Sequence, residues 1–212
     1  MDGGNMIDYE YISAFLAKVE GKCMRRGYIP CHLARGGSAN YIGDLDPAGY
    51  IPMGASGVTI ATGCDLGHRS AKEFSRWGLD PDIIQLYQPY LGLKKKAALE
   101  QLHQFPLTIS LQSALETDRA THRGYLHEHV LPVYARHSSL AFEDLPRQAQ
   151  AVIMSLCFHL GPTGASTGAP ITFNALARGD WETASHELKT GFRRYPGRRR
   201  MEGQLLEELC RK

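Results

Sequence analysis

Two carboxyl groups and a hydroxyl have the types and spacing for chemistry at a polar bond. They are Glu20, which closes an amphipathic segment, and Thr59 and Asp65 in the stretch Ser-Gly-Val-Thr-Ile-Ala-Thr-Gly-Cys-Asp-Leu-Gly, residues 56–67. A pair of carboxyls supports acid/base catalysis when one stays neutral and gives a proton while the other stays ionised. A lone Asp in a glycine-rich turn ordinarily just forms the turn. Asp65 therefore gains its meaning from being read together with Glu20.

The elements around these residues position them. Val58 and Ile60 would face one side of a short strand and Thr59 and Ala61 the other, because side chains alternate along a strand. Glycines at 57, 63 and 67 bracket the strand and the reversal after it, so that a ligand can approach the backbone closely. Upstream, Ile12, Phe15, Leu16 and Val19 recur at helical spacing, which predicts a helix over 8–20 with Asp8 as its N-cap and Gly21 as its stop. Glu20 falls at the margin of the apolar stripe. Partial desolvation there favours the neutral carboxyl, as a general acid requires.

A helix ending in Glu-Gly, then a small β-region with Gly-Val-Thr-Ile-Ala-Thr-Gly-x-Asp-Leu-Gly, resembles the lysozyme-like muramidases of phage and bacteriocin type. The order, Glu then Thr then an Asp six positions on, is similar to that of the pesticin muramidase domain. In the phage lysozymes proper the Asp precedes the Thr.

Composition agrees with an enzyme-sized chain. At 212 residues and 43% hydrophobic content it can bury a substantial core, as one domain or as two lobes sharing a helix, and the net charge of +2 excludes a strong overall field. No run of about eighteen apolar residues exists to span a membrane. The opening Met-Asp-Gly-Gly-Asn lacks the basic and apolar regions of a secretory signal. Five cysteines without Cys-x-x-Cys spacing indicate neither a zinc ribbon nor a disulfide framework. Cys23 and Cys31 are the two that could pair in an oxidising compartment, though sequence does not show that they meet.

Residues 21–67 read as a β-lobe in which Pro30, Pro47 and Pro52 break any long element. Tyr28-Ile29 and Tyr50-Ile51 are short strands, and 35–40 is an exposed loop. From Ser70 the pattern turns helical. Ser70 with Glu73 is a capping box, and Asp80-Pro81 opens a second helix. A third is expected over 93–103, and a longer one runs from about Ser110 toward Val130, with Pro132 kinking or ending it. Residues 146–160 carry the most hydrophobic helical pattern of the chain, stopped by Gly161-Pro162. The run 164–170 has no Gly-Lys-Ser/Thr and reads as a flexible connection rather than a phosphate loop. His122, His127 and His129 do not share a helix face, so no metal site is expected.

The C-terminal half extends the resemblance to phage lysozymes. A buried helix ending in Gly-x-Thr-Gly, a Phe-x-x-Leu helix and a Trp helix with Asp180 as cap and Trp181 as core anchor follow in that order. Nearly the whole chain is covered. The resemblance implies an α+β, mostly helical, two-lobed lysozyme-like fold, one domain over 1–212 with a β-lobe about 21–67 and a helical lobe about 70–212. It implies hydrolysis of the β-1,4 bond between N-acetylmuramic acid and N-acetylglucosamine in peptidoglycan, without cofactor or metal, by a monomer. Glu20 would be the acid, Asp65 the ionised partner and Thr59 the holder of a water, with inversion favoured. Tyr41 and Asn40, on a loop longer than in a minimal lysozyme, would line the sugar groove. His159 would contact sugar, and one arginine of the basic run, Arg198 with Arg199 as the alternative, would approach Glu20. No nucleic-acid motif accompanies that run. The protein would be made in the cytoplasm and act in the periplasm or at the wall of a target bacterium, and an immunity protein stays open as a partner. A lytic transglycosylase and a non-catalytic wall-binding module are the rival classes.

Overall fold

In the computed structural model, which describes residues 6–211, the chain is α+β and mostly helical, as expected. The signal-sequence reading rests on Met1–Asn5 and lies outside the described residues. The elements in order are α1 Tyr9–Glu20, β1 Met24–Leu33, β2 Ser38–Tyr41, β3 Tyr50–Pro52, β4 Thr59–Ala61, β5 Cys64–Asp65, α2 Ala71–Arg76, α3 Pro81–Tyr87, α4 Lys95–Gln104, α5 Leu111–Tyr125, α6 Leu131–His137, α7 Arg147–Leu160, α8 Pro162–Gly168, α9 Pro170–Arg178, α10 Trp181–Thr190 and α11 Pro196–Cys210. They fall into two compact units. One is the chain through Val19 together with everything from Tyr125; the other is Glu20–Gly124. The boundaries differ from the expected division at about residue 70, because α2 to α5 belong with the sheet.

In the Glu20–Gly124 unit the strands lie in the order β2-β1-β4-β5, and β3 also pairs with β1. β1 is one strand of ten residues and Pro30 does not break it: Pro30 sits opposite Asn40, and its carbonyl still accepts from Met53 N at 2.9 Å. Proline lacks only the donor, so the strand survives where that donor is not needed. Part of the expected exposed loop, 38–40, is in fact strand β2. Alternate β1 residues Gly27, Ile29 and Cys31 are buried in the apolar core with Val58, Ile60, Leu66, Phe74, Tyr87 and Leu102. Ser70 and Glu73 form the expected capping box at α2, and Asp80 accepts from Asp82 N at the start of α3. All five cysteines are free thiols. Cys23 and Cys31 lie eight residues apart along one extended segment, roughly 25 Å at strand rise, far beyond the reach of a disulfide.

The other unit is helical throughout. In α1, Ile12, Phe15 and Leu16 are buried, and Asp8 Oδ1 accepts from Tyr11 N at 2.9 Å, so the predicted cap is present. The pattern around Val130 goes differently from expectation. Pro132 does not end the helical run; residues Leu126–Val130 widen to a π turn and α6 follows directly. A proline ring collides with the carbonyl four residues earlier in a regular helix, and a widened turn accommodates it. α7 buries an unbroken run from Ala149 to Cys157. The segment read as a flexible connection is instead α8, opened by Pro162, with Thr163 O accepting from the hydroxyls of Ser166 and Thr167. Proline at the first turn is pre-set for a helix, which outweighed the Gly and Ser content. Asp180 caps α10 through Thr183 N at 3.1 Å, while Trp181 is half-buried rather than a core anchor. Among the described residues no helix is long and apolar enough to cross a membrane.

Candidate active site

The hairpin of β4 and β5 sets Thr59 directly opposite Asp65, and on the other side of β4 Tyr28 of β1 is the cross-strand partner of Thr59. Residues paired across antiparallel strands project to the same face, so Tyr28, Thr59 and Asp65 form one row. The Thr59 hydroxyl is thereby carried beside the Asp65 carboxylate. Thr59 is 6% exposed and the Asp65 side chain 25%, so both stand largely out of water.

Asp65 is gripped by backbone. Its Oδ1 accepts from Gly67 N at 2.9 Å and from Gly57 N at 3.1 Å, and Gly57 N lies 3.2 Å from Oδ2. Two glycines make this possible. A Cβ on Gly57 would lie 2.5 Å from Gly67 Cα, and one on Gly67 would lie 2.5 Å from Leu93 O, so only bare backbone lets both N–H groups converge on one carboxylate. His68 Nε2 donates to Ala55 O at 3.1 Å and stands 3.9 Å from Asp65 Oδ2. Burial nevertheless raises the Asp65 carboxyl above its ordinary value, outweighing the opposing N–H groups, His68 and Arg69. The hydrogen bonds favour the ionised form of Asp65, which was expected to be the ionised partner, but desolvation is the larger effect. A carboxylate made more basic in this way is a better proton acceptor.

Glu20, half-buried, ends α1 as predicted, and its carboxyl lies over the hairpin reversal. A Cβ built on Gly63 would be 3.3 Å from Glu20 Oε2. Gly63 takes φ +77°, and Ala61 at the other side of the reversal takes φ +51°, so a tight turn brings the chain back beneath the carboxyl. Asp118 of α5 holds that turn: its Oδ1 accepts from Thr62 N at 2.8 Å and its Oδ2 from the Thr62 hydroxyl at 2.7 Å. Tyr28 reports on both carboxyls at once. Its phenol is pushed up to about 12, by burial first and then by the negative charges of Glu20 and of Asp65.

Glu20, Thr59 and Asp65 are therefore brought together in one unit. Tyr41 is not a groove residue. It is 1% exposed, pairs with Ile29, donates its hydroxyl to Leu45 O at 2.9 Å and contacts His103 Nδ1 at 3.0 Å. Strand alternation turned it into the core, because the segment expected as loop is strand β2. His159 and Arg198 belong to the helical unit, where they share a buried ionic cluster. Glu202, fully buried, accepts from Arg198 Nε at 3.2 Å, from Ser155 Oγ at 2.5 Å and from Arg199 Nη1. Arg198 Nη2 also donates to Ser155 O at 2.9 Å, and Arg199 Nη2 to His159 Nδ1 at 2.5 Å. Burial and the two guanidiniums push His159 down to about 4, which keeps the ring neutral. Among the described residues no three His, Cys, Asp or Glu side chains are grouped to hold a metal ion.

The sequence reading missed Tyr28, Asp118 and Glu202. Tyr28 carries no local signal, since only the register of β1 against β4 aligns it with Thr59. Asp118 sits 56 residues from the turn that it holds. Glu202, three and four residues after Arg199 and Arg198, offered one clue in its helical spacing.

Two carboxyls beside a shared hairpin, one at a helix end and one under two N–H groups with a hydroxyl opposite, can give a proton on one side and take one on the other. Comparison with known proteins agrees with that chemistry. The family described as Pesticin, the bacterial toxin homologue of phage lysozyme (C-terminal part), matches residues 7–182. No curated protein matches the chain. The family match takes in Glu20, Thr59, Asp65 and His159 and stops short of Arg198. With most of its length matched and Glu20, Thr59 and Asp65 all inside the match, the chain belongs to the pesticin family of phage-lysozyme homologues.

Proposed function

We propose that the protein is a muramidase, hydrolysing the β-1,4 bond between N-acetylmuramic acid and N-acetylglucosamine in the peptidoglycan of a target bacterium. The observation that carries this reading is the Thr59–Asp65 cross-strand pair with the Glu20 carboxyl over the same hairpin. Membership in a family of lysozyme homologues supports glycoside hydrolase chemistry in general, and the geometry supports its assignment to these residues.

In this mechanism Glu20 gives its proton to the glycosidic oxygen as the C1–O bond breaks. The oxocarbenium-like sugar that results is attacked by a water held between the Thr59 hydroxyl and the Asp65 carboxylate, and Asp65 takes the proton that the water loses. Attack from the face opposite the leaving group inverts the anomeric centre. The burial that raises Asp65 strengthens it as the base. No step calls for a cofactor. A bacteriolytic toxin working at the wall also suits an immunity protein in the producing cell as a partner.

The test is mass spectrometry of the fragments released from purified sacculi by the wild-type chain and by Glu20→Gln. Hydrolysis leaves reducing N-acetylmuramic acid ends, one water heavier than the 1,6-anhydro ends of a lytic transglycosylase. Glu20→Gln should release neither. Release of anhydro ends would replace hydrolysis by transglycosylation, and equal release by both proteins would remove Glu20 from the chemistry.

A further inference from the structure

We propose that Tyr28 is a glycan-binding residue of this site, its phenol hydroxyl donating a hydrogen bond to the sugar held between Glu20 and Asp65. The proposal builds on the muramidase reading, to which it adds a fourth side chain.

Position comes first. Tyr28 stands in the same cross-strand row as Thr59 and Asp65, on the face of β1 opposite to the buried Gly27 and Ile29. A tyrosine side chain is longer than the threonine beside it, so from the same row its hydroxyl can reach farther from the sheet than that of Thr59. β1 is pinned at this point: Gly27 N donates to Leu107 O at 2.9 Å, and a Cβ on Gly27 would lie 2.9 Å from Leu107 Cβ and 3.0 Å from Val58 Cγ1. A side chain on so fixed a stretch of backbone is pre-organised, which lowers the entropic cost of a contact.

Electrostatics adds a second observation. After burial, the charges of Glu20 and then Asp65 act on the Tyr28 phenol, so the ring lies within reach of both carboxyls. With its pKa near 12 the hydroxyl stays protonated over any working pH and is always a donor. Sugar oxygens are acceptors. A neutral donor near two carboxyls also suits a sugar that develops positive charge, since it adds no cation to the site.

The experiment uses Glu20→Gln, which does not turn its ligand over, and a tetrasaccharide of alternating N-acetylglucosamine and N-acetylmuramic acid. Calorimetric titration should give about tenfold weaker binding for Glu20→Gln with Tyr28→Phe than for Glu20→Gln alone, the size expected for one hydrogen bond. Tyr28→Phe keeps the ring and its packing and removes only the donor. In a second measurement, on Glu20→Gln with 13C-labelled tyrosine, the ring signal absent from the Tyr28→Phe spectrum should shift as the tetrasaccharide is added. Affinities equal within twofold, or a Tyr28 signal that does not move, would overturn the proposal, whatever the folding of the phenylalanine variant. Failure of the muramidase reading looks different: the wild type then binds the tetrasaccharide through Tyr28 but leaves the sacculi uncut.

Discussion

The carboxyl of Glu20 stands over Gly63, so that a single methyl group added at residue 63 would lie 3.3 Å from Glu20 Oε2. Gly63→Ala is expected to act on both the fold and the acid. At φ +77° alanine is strained by about 1 to 2 kcal/mol, and its methyl moves the carboxyl off the direction of proton transfer. Turnover should fall about tenfold or more, since small misplacements of a catalytic group are costly. The measurement is kcat well below the variant's own unfolding temperature; full activity there would show that Glu20 does not act from this position.

Thr59 and Asp65 face each other across the hairpin and are expected to work on one water. Thr59→Val and Asp65→Asn should each lower kcat by about a hundredfold. The double variant should lose far less than the product of the two, because groups acting as a unit are not additive. Fully multiplicative losses would mean separate roles.

Burial raises the Asp65 carboxyl, and the positive charge of His68 opposes that rise. Asp65 has to be ionised to accept a proton, so the acid limb of the rate profile should lie above the ordinary aspartate value of about 3.9. His68→Ala should carry the limb further up. The sign for stability is the reverse of a salt-bridged aspartate: the folded state favours the protonated form, so this contribution is present below the ordinary value and lost as pH rises through the raised one. A limb that moves to lower pH in His68→Ala would contradict the arrangement.

Arg198 and Arg199 share the buried Glu202. Removing that one charge takes the shared carboxylate from two buried guanidiniums, and the loss of a partner from a buried pair typically costs about 3 to 5 kcal/mol. Glu202→Gln should therefore lower the urea midpoint strongly. A midpoint unchanged from wild type would show that the guanidiniums find other partners.

His159 is held near 4 in the folded chain, against about 6.5 when unfolded. Between these values the unfolded state binds more protons, so stability should climb with pH across that window and level off above it. His159→Gln should flatten the climb. Taking the difference between wild type and variant at each pH removes the contribution of Asp65, which runs the other way. Parallel stability curves for the two proteins would refute the depressed value.

Local physics was legible in the chain. Helical spacing with Asp8 ahead and Gly21 behind determined α1 and left Glu20 at its end. Alternation and glycine placement determined the strand carrying Thr59 and the reversal after it, because a strand's period of two leaves little choice; Asp65, read as part of the turn, stands instead on the returning strand opposite Thr59. What the tertiary structure decided involves partners distant in sequence. Register, set by how whole strands bury their apolar sides, put Tyr28 next to Thr59 and turned Tyr41 inward. Asp118 reached back to Thr62 only once α5 had packed, and Arg198 and Arg199 found a shared buried partner in Glu202 on their own helix. Even the direction of the Asp65 shift depended on packing. The two glycine N–H donors follow from the sequence pattern, but the desolvation that outweighs them comes from the whole unit closing around the carboxyl, and no short stretch of sequence specifies it.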